Sequence, residues 1–201
     1  MNESTDDPPN PPEAADTAEL NKLLGEHRDR LTRMVRMRMD ARVRGRVDAS
    51  DVIQEAFIEV ARRIDDYRND PKLPFFLWLR LVAGQKLTLA HRQHLGVQAR
   101  DAARELSLFS SPVPEASSAV LAARLVGEMS SPSQQVERAE LKLRVQEALN
   151  QMSAMDREIL SLRHFEQLSN QEAATELGIQ ASTACNRYIR ALERLRSVFN
   201  S

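Results

Sequence analysis

Residues 168–191, LSNQEAATELGIQASTACNRYIRA, read as two short helices on either side of a tight turn. Ser169 suits the cap of the first helix, and Glu172 three positions later can bond back to the cap's backbone N–H. Ala173, Ala174 and Leu177 give that helix a close-packing inner face. Gly178 falls where the chain must turn sharply, a bend glycine makes without steric cost. A second helix is predicted after Ile179, with Ala184, Tyr188, Ala191, Leu192 and Leu195 at three- and four-residue spacing. Its other face carries Ser182, Thr183, Asn186, Arg187 and Arg190. Small apolar residues before a Gly turn, then short polar and Arg residues, fit a helix-turn-helix that reads DNA. An ordinary helical hairpin with a solvated outer face is the alternative the same residues allow.

The whole chain has 201 residues, room for one domain or two small ones. Hydrophobic residues make up 42% and charged ones 28%, enough apolar material for a core. Only 6 Gly and few alternating Val, Ile and Thr predict an all-α fold with little or no sheet. The single cysteine, Cys185, excludes an internal disulfide and fits a reducing cytosol. No apolar run approaches the ~20 residues of a membrane span. The acidic, Pro-rich N-terminus has no basic stretch before an apolar one, so a cytoplasmic protein is expected.

The formal net charge of −1 is unevenly spread. Residues 1–17 carry acids and no base, and read as a disordered tail. Residues 18–96 hold 16 Lys and Arg against 11 Asp and Glu. Eight of these bases, Arg28, Arg30, Arg33, Arg36, Arg38, Arg42, Arg44 and Arg46, crowd into 28–46. Such a density suits phosphates or an acidic protein surface, or else a solvated face with local ion pairs.

Working back from the helix-turn-helix, a helix from Asp156 carries Ile159, Leu160, Leu162 and Phe165, and one from Val136 carries Leu141, Val145, Leu149 and Met152. The C-terminal unit, 136–201, thus has about four helices. Residues 96–135, with Pro112, Pro114 and Pro132 and many Ser and Ala, read as a linker that could be partly helical at 99–109 and 116–129. Before it, 18–95 form a helical unit. Its first helix has a stripe of Leu20, Leu23, Leu24, His27, Leu31, Met34 and Val35, where His27 is a core histidine. The second follows DASDVIQEAFIEVARRI, capped by Asp48 or Ser50. Val52, Ala56, Phe57, Val60, Ala61 and Ile64 face a core, while Asp51, Gln54, Glu55 and Glu59 make an acidic polar strip. A polar loop over 65–74 leads to a third helix at 75–95. Phe57, Tyr67, Phe75, Phe76 and Trp78 cluster there beside Arg80, Lys86 and Arg92, as core aromatics or as platforms for unpaired bases. His91 and His94 could share a metal, but no carboxylate or Cys ligand lies near in sequence.

Two helical units in this order resemble the extracytoplasmic-function (group 4) sigma factors of bacterial RNA polymerase. DASDVIQEAFIEVARR is similar to the family's region 2.2, FLWLRLVAGQKLTLAHR to regions 2.3–2.4, and ALNQMSAMDREILSLRHFEQLSNQEAATELGIQASTACNRYIRALERLR to regions 4.1–4.2. The resemblance covers about 18–95 and 138–199. Gln85 and Leu89 stand where the family has Asn and Asp. Ala184 and Cys185 replace its Val and Lys, and Gln180 replaces a Ser cap. These departures bear on the promoter sequence.

The resemblance implies that Asp51, Gln54, Glu55 and Glu59 bind the clamp helices of the polymerase β′ subunit. It implies that the helix at 75–95 meets the minus-10 element through Lys86, Thr88, His91 and Arg92. Ser182, Thr183, Asn186, Arg187 and Arg190 would read the minus-35 element, with the β flap as a second polymerase contact. No catalysis, cofactor or metal is implied, and an anti-sigma factor is a common partner in the family. A stand-alone helix-turn-helix regulator is the rival reading, though it leaves the acidic helix at 48–64 without a purpose. Cys185 is either a redox-sensitive thiol or a small residue tolerated beside DNA.

Overall fold

The computed structural model describes residues 17–95, 113–129 and 135–199, and every regular element among them is helical. The chain divides into two compact units, Met1–Pro114 and Glu115–Ser201. The expected tail falls outside the described residues except for Thr17, which opens the first helix.

The first unit packs α1 (Thr17–Arg38), α2 (Ala49–Asn69) and α3 (Phe75–Leu95) against one another. Every residue of the predicted α1 stripe is buried, His27 included. Its imidazole leans on Phe75 and Phe76, with centroids 6.0 and 5.3 Å away. Asp48 caps α2: its side chain accepts from Ser50 N–H at 2.9 Å, and Asp51 bonds back to the cap N–H.

The buried face of α2 is Val52, Ile53, Ala56, Val60, Ile64 and Tyr67. This corrects the expected stripe in three places. Ile53 is fully buried, Phe57 only half, and Ala61 is exposed. The seam toward both neighbouring helices lies about one residue away from the face that periodicity alone selects, which turns Phe57 to the rim of α1.

Helix α3 has Phe75, Phe76, Leu77, Leu79, Arg80, Val82, Ala83, Gly84, Leu87 and Ala90 all buried, so most of its circumference is enclosed. Its last uncovered side is closed by Val113, against which a Cβ on Gly84 would come within 2.4 Å. Arg38 fixes this closure by donating to the Pro114 carbonyl at 2.7 Å. The turn between α1 and α2 is fastened at two points. Arg42 forks onto Asp40 (Nε–Oδ1 3.1 Å, Nη2–Oδ2 2.9 Å), holding that carboxyl at about 2. The Asp40 N–H donates to Nε2 of His91 at 3.1 Å.

In the second unit, α4 (Ser118–Met129) packs on α5 (Gln135–Asn150), burying Leu121, Ala122, Leu125 and Val126. This helix falls on 116–129, the part of the expected linker read as helical in part, and its apolar side makes it a packed element of the second unit rather than a tether. Residues 96–112 and 130–134 of that segment lie outside the described residues. Then come α6 (Ala154–Leu160), a π-helical turn (Ser161–Phe165), α7 (Asn170–Leu177) and α8 (Ala181–Phe199). Arg157 donates to the Leu149 carbonyl at the end of α5 at 3.4 Å and to the Met152 carbonyl just beyond it at 2.8 Å. Ile159, Leu160, Leu162 and Phe165 are buried, as their spacing predicted.

Two predictions follow from the first unit. Gly84→Ala gains about 1 kcal/mol of helix propensity but overpacks Val113, at about 1–3 kcal/mol. Its thermal midpoint falls, and Gly84→Ala lowers the midpoint less in a Val113→Ala background than in the wild type. His91 accepts a bond only when neutral; burial pushes its pKa down, with Asp40 opposing and Arg42 adding to the effect. The folded state therefore holds fewer protons than the unfolded one just below pH 6.5, and stability drops as pH falls through that window. His91→Gln, whose carboxamide oxygen accepts without titrating, makes the loss in melting temperature between pH 7.5 and 5.5 smaller.

Candidate nucleic-acid and partner interfaces

In α7 the Ser169 side chain accepts from Glu172 N–H at 3.1 Å, and Glu172 accepts from Ser169 N–H at 2.6 Å. Gly178 closes the helix in the left-handed conformation, φ 63° and ψ 33°. Ile179 N–H reaches back to the Ala174 carbonyl at 3.0 Å, which satisfies one of the orphaned helix-end acceptors. Asn170 Nδ2 then donates to the Ala181 carbonyl at 2.7 Å, pinning the first turn of α8 to the start of α7. Ala173, Ala174, Ala184 and Ala191 are buried between elements, so the two helices can approach closely. These features make a helix-turn-helix with α8 as its second helix.

On α8, Ser182, Asn186 and Arg190 are exposed and Thr183 is half-buried. Arg187 is drawn away from that surface by a 2.8 Å ion pair with Asp156, at the start of α6. Partial burial pushes the Asp156 carboxyl up, but the Ser153 hydroxyl, Arg187 and Arg194 together outweigh it and leave the carboxyl below its usual range. Two members of the predicted apolar stripe differ: Tyr188 is half-buried and Leu192 is exposed. The inner face is narrow because α7 meets α8 through alanines. Cys185 is exposed.

In the first unit Asp51, Gln54 and Glu55 are exposed along one side of α2. Glu59, expected beside them, instead bonds Lys86 of α3 at 3.0 Å and Arg63 at 2.6 Å. The Lys86 hydrogen bond, opposed by burial and helped by the charges of Arg63, Lys86 and Arg62, lowers the Glu59 carboxyl pKa. Two residues expected on separate surfaces thus pair with each other. His91 is occupied by the Asp40 amide, Thr88 is half-buried and Arg92 is exposed.

Of the aromatic cluster, Tyr67, Phe75 and Phe76 are buried while Phe57 and Trp78 are half-buried, and Tyr67 stacks on Trp78 with centroids 4.4 Å apart. Arg80 is fully buried and offers no platform for bases. Among the described residues no group of three or more His, Cys, Asp or Glu is arranged to hold a metal ion. The 28–46 arginines mostly brace the fold. Arg44 reaches the Met39 and Arg36 carbonyls, Arg46 the His94 carbonyl, and Arg30 lies 3.6 Å over Phe76. Sequence reading missed an open groove between α1 and α2, lined by Asn21, Leu24, Arg28, Gln54, Phe57 and Ile58. Ile58, 48% exposed, was the available signal: an apolar residue on the polar side of a helix.

Both units match known sequence patterns, Sigma-70 region 2 over residues 23–94 and Sigma-70 region 4 over 142–195. The chain is 30% identical over 183 residues to the ECF RNA polymerase sigma factor SigD of Mycobacterium tuberculosis, covering 91% of this chain and 78% of SigD. The chain belongs to the ECF RNA polymerase sigma factors. RNA polymerase sigma-H factor of Pseudomonas aeruginosa is 28% identical over 150 residues, 74% of this chain and 71% of that one. A solved structure of CnrH in complex with the cytosolic domain of CnrY has the same fold, with a TM-score of 0.50, 20% identity, and coverage of 92% and 90% of the two chains. The sigma factor is therefore an alternative initiation factor for transcription, with a DNA-binding helix-turn-helix in its region 4 unit.

The turn offers a direct test. A Cβ at Gly178 meets no neighbour within 4 Å, so substitution there is opposed by backbone conformation alone. Gly178→Ala loses about 1–2 kcal/mol, the cost of a left-handed non-glycine residue. Gly178→Asn loses less, because Asn tolerates that conformation. Calorimetric unfolding of the two variants distinguishes them.

Proposed function

We propose that the sigma factor engages core RNA polymerase through the exposed side of α2 and reads promoter DNA with α3 and α8. The observation that carries the polymerase contact is the juxtaposition of Asp51, Gln54 and Glu55 with the apolar groove holding Phe57 and Ile58. Exposed acids beside a half-exposed aliphatic patch suit a partner helix that is basic on one side and apolar on the other, as expected of the β′ clamp helices. Glu59 serves this surface indirectly, by tying α2 to α3 through Lys86.

On α3, Thr88 and Arg92 are the proposed minus-10 contacts, while Lys86 and His91 hold the helix in place. On α8, Ser182, Thr183, Asn186 and Arg190 face the minus-35 element, and Arg187 orients the helix by its bond to Asp156. The β flap is the second polymerase contact. The CnrH structure, which holds the cytosolic domain of CnrY, supports an anti-sigma partner for this chain too. A factor of this kind works in the cytoplasm beside the polymerase and performs no catalysis itself.

Binding of purified core polymerase to full-length variants tests the α2 surface. Glu55→Arg and Ile58→Glu each change an exposed side chain, so both fold normally and bind core at least tenfold more weakly, about 1.4 kcal/mol. Unchanged affinity in both would refute the assignment.

A further inference from the structure

The buried side of α8 is Ala184, Ala191 and Leu195. At 100° per residue, the line directly opposite runs through Ser182, Asn186, Ile189 and Glu193, and all four are exposed. Ile189 is 47% exposed, a large aliphatic on the outermost line of a DNA-reading helix. No arginine stands on that line. Arg187 is turned toward Asp156, and Arg190 lies to the same flank, with its Nε 3.4 Å from the Asn186 carbonyl. Arg196 flanks the other side, one to two turns further along, and is also exposed.

We propose that Ile189 is a specificity-determining residue, seated on the 5-methyl group of a thymine beside an adenine read by Asn186. The inference rests on the reading of α8 as the minus-35 helix. An Asn carboxamide matches the N6 donor and N7 acceptor of adenine, and an aliphatic side chain in the major groove matches only the thymine methyl. Three residues of helix rise about 4.5 Å, a little over one base-pair step of about 3.4 Å, so the two side chains meet neighbouring base pairs. Arg190 and Arg196, on either flank, are disposed toward the two phosphate backbones. The upstream element is therefore expected to contain adjacent A·T pairs at the centre of the α8 footprint.

A single exposed aliphatic is common on protein surfaces. Cys185, Ile189 and Leu192 also form a short apolar strip that a protein could cover. DNA is favoured because the strip lies between the polar Ser182 and Asn186 and the flanking arginines, where a protein partner would have to bury cations.

Holoenzyme reconstituted from core polymerase and the full chain transcribes a promoter library with a randomised upstream element, and the transcripts are sequenced. The wild type enriches adjacent adenine and thymine. Ile189→Ala loses the thymine preference by about fourfold, the equivalent of one buried methyl group, and keeps the adenine preference. Asn186→Ala does the reverse. Replacing that thymine by uracil, which removes only the methyl, lowers wild-type transcription by a similar factor and leaves the Ile189→Ala enzyme unaffected.

Guanine enrichment at those positions, a silent uracil substitution, or weaker binding of Ile189→Ala to core polymerase would each overturn the proposal. The last would mark the strip as a protein contact. Chain-dependent transcripts with no upstream preference would overturn it while leaving the initiation function intact. No chain-dependent transcript at all would remove the wider promoter reading as well.

Discussion

A helix apolar on nearly every side is stable only when it is enclosed, and α3 imposes that requirement on the whole first unit. Phe76, Leu77, Leu79, Ala83 and Leu87 are almost completely inaccessible, on faces that no single partner helix could cover. Helices α1 and α2 take two sides, and Val113 closes the third over Gly84. With the core filled from the α3 side, the polar side of α2 has only solvent or a partner to face. The exposed Asp51, Gln54 and Glu55 are thus consequences of how α3 is wrapped. The second unit solves a different problem: α7 and α8 bury alanines rather than large side chains, which brings the helices close and leaves α8 a broad outward surface.

Charge is used internally more than a residue count suggests. Glu59 with Lys86 and Arg63, Asp156 with Arg187, and Asp40 with Arg42 each bind together parts of the same unit. Because these pairs sit at the surface with water still reaching them, their energetic weight is modest and screened by salt. Their main effect is geometric, fixing which side chains are left to meet a partner. Each pairing leaves fewer charged side chains of its unit free to point outward.

Much of this was legible in the sequence because local chemistry dictated it. The capping box of Ser169 and Glu172, the turn at Gly178 and the α1 stripe each follow from short-range spacing. Long-range facts were not legible. Nothing in the sequence links Glu59 to Lys86 or Asp40 to His91, since such pairs depend on how two helices cross. Ile53 joins the core and Phe57 is only half-buried because α2 serves two neighbours rather than one. Helix α4 was legible as helical text within 116–129 but not as a packed part of the second unit, and the π-helical turn at Ser161–Phe165 leaves no mark in residue pattern. Ile58 and Ile189 were visible as aliphatics in polar surroundings, but only the fold shows that they face outward.

As a sigma factor, this chain is expected to confer promoter-specific initiation on a core polymerase. Run-off transcription from native promoter fragments, with purified core polymerase in the presence and absence of the full chain, tests it most directly. Discrete transcripts are expected only when the chain is added. Identical transcript patterns with and without the chain, together with failure of the chain to co-elute with core polymerase, would contradict it.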